Sequence, residues 1–234
     1  MTAPPGGLAA LPGQAAIPTA PLPTAAVNGS APVEIPAPAG RVGPNAVTRT
    51  AEAIDALIGP GVTRAVFARA GLSGYLAEPP AAMVDEREVT RLNAALRRDL
   101  GTGTADAVAA EAGRRTADYL LAHRIPRPAQ AMLRLLPPGL ALRLLMKAVA
   151  RHSWTFAGSG SFAWRVLPGG EVEVVIRNCP LARHLTGAGA PVCGLYAATF
   201  EHLTRRLCAR PARCEEVACA ADGAEACIFA IILR

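Results

Sequence analysis

Six cysteines of this 234-residue chain all fall between Cys179 and Cys227. Three of them, Cys193, Cys219 and Cys227, stand with Glu216 at spacings of 22, 2 and 7 intervening residues. Three soft thiolates and a carboxylate at one point form a tetrahedral set that suits zinc, with metal–sulfur bonds of roughly 2.3 Å. Four protein ligands close such a site and make it structural, since a catalytic zinc keeps one position for water. Spacing alone leaves a second reading equally open, in which the thiols are small buried hydrophobes, because no CxxC pair is present. Cys179, within Asn178-Cys179-Pro180, has less claim and reads as packing or as an alternative ligand. Cys208 and Cys214 flank Arg210 and Arg213 and read as exposed, incidental thiols.

Two hairpins and one helix must bring these ligands together. Ser161 to Leu167 and Glu171 to Asn178 are strand-like runs joined across Pro168-Gly169-Gly170. Val172, Val174 and Ile176 alternate with polar positions, so one face is buried. A helix from about Pro191 to Ala209 follows, with Pro191 in its first turn and Cys193 close behind. Strands at Cys214 to Cys219 and Ala226 to Leu233 close the chain through Asp222-Gly223. Ahead of this region, Asn45 to Arg151 has helical periodicity. Ile54, Leu57 and Ile58 mark the buried side of the first helix, and Gly59-Pro60-Gly61 stops it. A second helix spans Val62 to Ala70. Asp85 with Glu88 forms a capping box that starts a helix ending before Gly101, and Thr104 caps another that runs to Arg124. Two more helices flank Pro137-Pro138, the second carrying Leu142, Leu145, Met146 and Val149 on one stripe. The order predicts an α+β fold of N-terminal helices packed on a small antiparallel sheet.

Residues 1–44 hold ten of the 21 prolines, six glycines and only two charges, Glu34 and Arg41. Such a stretch buries too little surface to offset its ordering entropy and reads as a disordered Pro/Ala-rich tail. Residues 45–151 form the helical region and 152–234 the α+β region with the cysteines, the two together making one compact domain. The net charge of +6 is spread without a Lys/Arg block, which argues against nucleic acid as a partner. Charges and prolines interrupt every apolar run, so no membrane span and no secretory leader is expected, and the chain reads as cytoplasmic. Clustered cysteines in that reducing compartment favour metal ligation over disulfides.

The run from Asn178 through Cys193-Gly194-Leu195-Tyr196 to Glu216-Val217-Ala218-Cys219 and Cys227-Ile228-Phe229 resembles the vinyl-4-reductase domain family, and the Ala/Arg-rich helical region resembles its bacteriochlorophyll-biosynthesis branch. The resemblance implies a fold shared with subunits of the TRAPP tethering complex, a homodimer with an enclosed apolar pocket, and structural zinc on Cys193, Glu216, Cys219 and Cys227. It also implies a divinyl (proto)chlorophyllide-type tetrapyrrole as ligand, for reduction of its vinyl group or delivery to neighbouring enzymes such as magnesium chelatase. An aromatic-sensing module or a scaffold acting through a protein partner is the alternative.

Vinyl reduction needs an electron donor, yet no nucleotide cofactor site is visible. Gly187-Ala188-Gly189 begins a dinucleotide fingerprint but meets Val192 at its third glycine position and lies outside any βαβ unit. The cysteine spacing matches no ferredoxin-type cluster. A carrier needs less: apolar walls, polar anchors and an axial magnesium ligand. His152 and His184 are candidates for that ligand, Trp154 and Trp164 for stacking on the macrocycle, and Arg177 and Arg183 for its carboxylates.

Overall fold

The computed structural model describes residues 40–234, so the expected tail lies outside the described residues except at its end. There Arg41–Val42 forms β1, an antiparallel partner of β2 at Val84–Asp85. Between them run α1 (Asn45–Leu57), α2 (Pro60–Ala70) and α3 (Gly74–Ala77). Val47, Thr50, Ala53 and Ile54 form the buried face of α1. Leu57 and Ile58, expected to share it, are exposed at the helix end, where the chain departs through Gly59 at φ 121°.

α4 (Glu86–His123) is long but not continuous: Gly101, at φ 72° and ψ 169°, breaks it close to where the sequence predicts two helices. Such a conformation costs a residue with a Cβ far more than it costs glycine. Asp85 caps the helix by accepting a hydrogen bond from the Arg87 N–H at 2.8 Å. Glu88 does not complete a capping box; it accepts instead from the Tyr75 hydroxyl at 2.9 Å. α5 (Arg127–Leu135), α6 (Pro138–Arg151) and α7 (Trp154–Ala157) lead into the sheet. Leu142, Leu145 and Met146 are the buried positions of the predicted α6 stripe.

β3 (Ser161–Val166), β4 (Val172–Arg177), β5 (Arg213–Ala218) and β6 (Cys227–Ile232) make one antiparallel sheet in the order β3-β4-β6-β5. α8 (Gly194–Leu207) crosses from β4 to β5 and buries Leu195, Tyr196, Phe200, Leu203 and Leu207. Val174, Ile176, Phe229 and Ile231 supply the sheet's share of that core. Phe156, Phe162, Tyr196, Phe200 and Phe229 meet there with ring centroids 5.6–6.5 Å apart, mostly edge to face. Such pairs contribute about 0.5–1.5 kcal/mol each beyond their burial. On its other side α8 packs against α4, and at Gly113 the two helices approach so closely that a methyl group would strike the Leu195 carbonyl. The Thr199 hydroxyl donates to the Gly113 carbonyl at 3.1 Å and fixes that contact. The fold is therefore α+β, with helices and sheet sharing one continuous core. Among the described residues, no helix is long and apolar enough to cross a membrane.

The pairing of β5 with β6 shifts register between Glu216 and Ala218, leaving Val217 without a partner and exposed.

Candidate metal centre

The structure brings together Cys193, Glu216, Cys219 and Cys227, with one donor atom of each within 4.8 Å of all the others. Helix α8 starts at Gly194 rather than at Pro191, so Cys193 is its N-cap and not part of its first turn. The reason is local: the Cys193 N–H donates to Glu216 Oε2 at 2.7 Å, a bond that holds the chain outside helical geometry. Glu216 projects from β5, Cys219 precedes the 3-10 turn Ala220–Asp222, and Cys227 opens β6. The Sγ atoms of Cys193 and Cys227 are 3.5 Å apart and those of Cys219 and Cys227 3.9 Å. Metal–sulfur bonds of roughly 2.3 Å in a tetrahedron place sulfurs about 3.8 Å apart, so the spacing fits a thiolate-bound zinc ion.

The electrostatics fit a cation too. Glu216 Oε1 is buried and has no hydrogen-bond partner, a state that costs free energy unless something positive satisfies it. Burial, and then the Cys219 thiol, push the Glu216 carboxyl up to about 8. Burial likewise pushes the Cys193 thiol well above its ordinary value. Only the positive end of the α8 dipole offsets this at Cys193.

Cys179 lies closer to this group than its sequence position implies. Its Sγ is 3.6 Å from that of Cys193 and it is fully buried. Burial raises its thiol, but hydrogen bonds from Cys193, Cys227 and the N–H groups of Leu181 and Ala182 outweigh that and bring it down to about 5. Cys214, expected at the surface, is buried, and its N–H donates to Glu201 Oε2 at 3.0 Å. Cys208 is half-buried, and burial pushes its thiol up to about 12.

A second buried polar node was invisible to spacing. Glu86 and Arg183, 97 positions apart, form an ion pair beneath the surface. Glu86 also accepts from the Ser159 N–H at 2.8 Å and the Ser159 hydroxyl at 2.7 Å, while Arg183 Nη2 donates to the Asn178 carbonyl at 2.8 Å. Burial raises the Glu86 carboxyl, but the bonds from Arg183 and Ser159 prevail and hold it below its ordinary value. Arg183 is thus committed internally.

Of the residues considered for a tetrapyrrole, Trp164 and Arg177 share one place, a shallow concavity of about 370 Å³ that also includes Val175, Glu225 and Ile228. His152 caps the end of α6, with Nδ1 2.9 Å from the Ala148 carbonyl oxygen. Trp154 opens α7 and is 59% exposed. His184 stands exposed at φ 62° in the loop ahead of Gly187 and Gly189. Between α1, α4 and the loop before α8 is a void of about 10 Å³, room for about one water molecule.

Two solved H-NOX structures resemble this fold. One, from a study of heme distortion in that family, has a TM-score of 0.54 at 14% identity and covers 81% of this chain and 93% of its own. The other, an Fe(II) unliganded H-NOX variant from K. algicida, has a TM-score of 0.52 at 13% identity and covers 82% and 97%. At such identity the likeness concerns the fold alone. Residues 172–233 match the model of the vinyl-4-reductase domain. The bacteriochlorophyll synthase 23 kDa chain of Cereibacter sphaeroides is 40% identical over 84% of this chain and 93% of its own length. Its counterpart in Rhodobacter capsulatus is 35% identical over 82% and 86%. With that domain at its C-terminal end and a match along nearly the whole of these relatives, the chain belongs to the family of the bacteriochlorophyll synthase 23 kDa chain.

Proposed function

We propose that this protein binds a divinyl (proto)chlorophyllide-type tetrapyrrole during bacteriochlorophyll biosynthesis and delivers it to a neighbouring enzyme of the pathway, such as magnesium chelatase. The observation that carries the reading is the match to bacteriochlorophyll synthase chains over 93% and 86% of their lengths. The concavity at Trp164 and Arg177 supports it physically. Val175 and Ile228 give an apolar floor, Trp164 an aromatic edge, and Arg177, whose nearest carboxylate is Glu225 at 3.7 Å, a guanidinium for a ring carboxylate. A volume of about 370 Å³ is within the range of ligand sites, though an open one seats a macrocycle by one face.

Zinc is part of the same proposal. Cys193, Glu216, Cys219 and Cys227 would hold it, and bound there it supplies cross-linking of the α8 N-terminus to the β5–β6 hairpin. The orphaned Glu216 oxygen and the thiol spacing favour that occupant. The chain would act as a homodimer.

The test is titration of the full chain with divinyl protochlorophyllide, with and without NADPH, reading the Soret band and the pigment mass. A shifted Soret band with unchanged mass, weakened in Trp164→Ala and Arg177→Ala, is expected. A gain of two hydrogens on the pigment would make the protein a reductase instead. Absence of any spectral shift, or preference for small phenols, would overturn tetrapyrrole binding.

A further inference from the structure

The charge of this chain is unevenly placed. Between Asp118 and Glu171 there are seven cations and not one Asp or Glu. The rest of the chain holds the other 17 cations and all 18 acids, so the whole net charge of +6 resides in this one stretch. It is less a block of cations than a gap in the acids.

That stretch folds as α5, α6 and α7 with the start of the sheet, and it carries most of the large apolar side chains that face solvent. Leu135 is 87% exposed, Met132 51% and Leu140 46%, all at the tip where α5 turns into α6 through Pro137-Pro138. Isolated exposed leucines are ordinary, whereas three at one turn form a patch that marks an interaction site. Along α6, Arg143, Lys147 and Arg151 follow Leu140 at spacings of three, four and four, which aligns them on one helical face. All three are exposed, while Ala141, Leu142, Leu145 and Met146 fill the opposite, buried face. None of the three cations forms an ion pair among the described residues. Just past α6, Trp154 is also exposed.

Apolar tip, unpaired cationic face and terminal tryptophan together are what an interfacial helix presents to a membrane. Leucine and methionine side chains enter the headgroup–acyl boundary, cations meet lipid phosphates, and tryptophan sits at headgroup level. An acidic protein would pair with the cations but leave Leu135 in water. We propose that the α5–α6 tip and the exposed face of α6 dock this protein peripherally on an anionic lipid surface. The docking relies on neither the metal centre nor the tetrapyrrole site.

The test is cosedimentation of the full chain with phosphatidylcholine vesicles with and without phosphatidylglycerol. Binding only to the phosphatidylglycerol vesicles, weakening as salt rises, is expected. Leu135→Ser should weaken it roughly tenfold through lost apolar insertion. Arg143→Gln and Lys147→Gln should each weaken it roughly fivefold. Leu135 is nearly free in solvent, so its variant retains the fold, which a circular dichroism melt checks. Failure to bind, equal binding to neutral vesicles, or indifference to Leu135→Ser would each overturn the proposal. So would self-association that Leu135→Ser abolishes, since the tip would then be an interface between copies of this chain.

Discussion

Glu86 and Glu216 are both acids removed from water, and the protein treats them differently. Glu86 is saturated: a guanidinium, a hydroxyl and backbone N–H groups surround both its oxygens. Glu216 has one oxygen on the Cys193 N–H and the other on nothing, among thiols that themselves need a positive partner. The first node is complete within the polypeptide. The second is built for a cation that the polypeptide does not supply. A buried carboxylate whose hydrogen bonds are all made is evidence about folding, and one left half-satisfied among soft donors is evidence about a ligand.

The contrast can be broken most severely at the metal centre. Cys219→Ser, or chelation of the wild-type protein, should cost on the order of 5 kcal/mol or more, because metal binding and folding are coupled. Metal analysis and thermal melting would show it together, and an unchanged metal content with an unchanged melt would remove the distinction between the two glutamates. Next comes Glu86→Ala, which strands the Arg183 guanidinium and should cost about 3–5 kcal/mol while leaving the metal content intact. Loss of metal in that variant would mean that the nodes are one.

A pH series separates them further. The folded-state value of Glu86 lies below its ordinary 4.5, so its contribution is complete above that value and is lost as the pH falls through the folded one. Urea midpoints of the metal-loaded protein should therefore drop below about pH 4.5, less so in Glu86→Gln, which titrates nothing there. Smallest of all, Cys179→Ala should cost about 1–2 kcal/mol of packing and change no metal stoichiometry. Departure of the metal would instead count Cys179 among the ligands.

How much of this is legible in the residues depends on how far apart the partners lie. The β3–β4 hairpin is readable because alternation and Pro168-Gly169-Gly170 are local signals, and the metal ligands because three cysteines and a glutamate fall within one helix and one hairpin. Pro191 signals a first turn for α8 that the structure does not form there, because the bond that delays the helix comes from Glu216 across the fold. Leu57 and Ile58 have the right period for a buried face, yet they lie where the chain leaves the helix. Cys214 reads as a surface thiol from its arginine neighbours, whereas a strand interior decides its burial. Glu86 and Arg183 have no mutual signal at all, since nothing in a spacing of 97 residues identifies a pair.

The register shift at Val217 has a consequence for counting. Side chains along a flat strand alternate, so two residues three apart face opposite ways. Glu216 and Cys219 are three apart and both face inward, Glu216 opposite the buried Phe229 and Cys219 just beyond Ala218, which pairs with the outward Ile228. One extra residue absorbed by the bulge inverts the parity between them. Val217 is that residue, and without its odd place in the count a glutamate and a cysteine at this spacing would sit on opposite sides of the sheet.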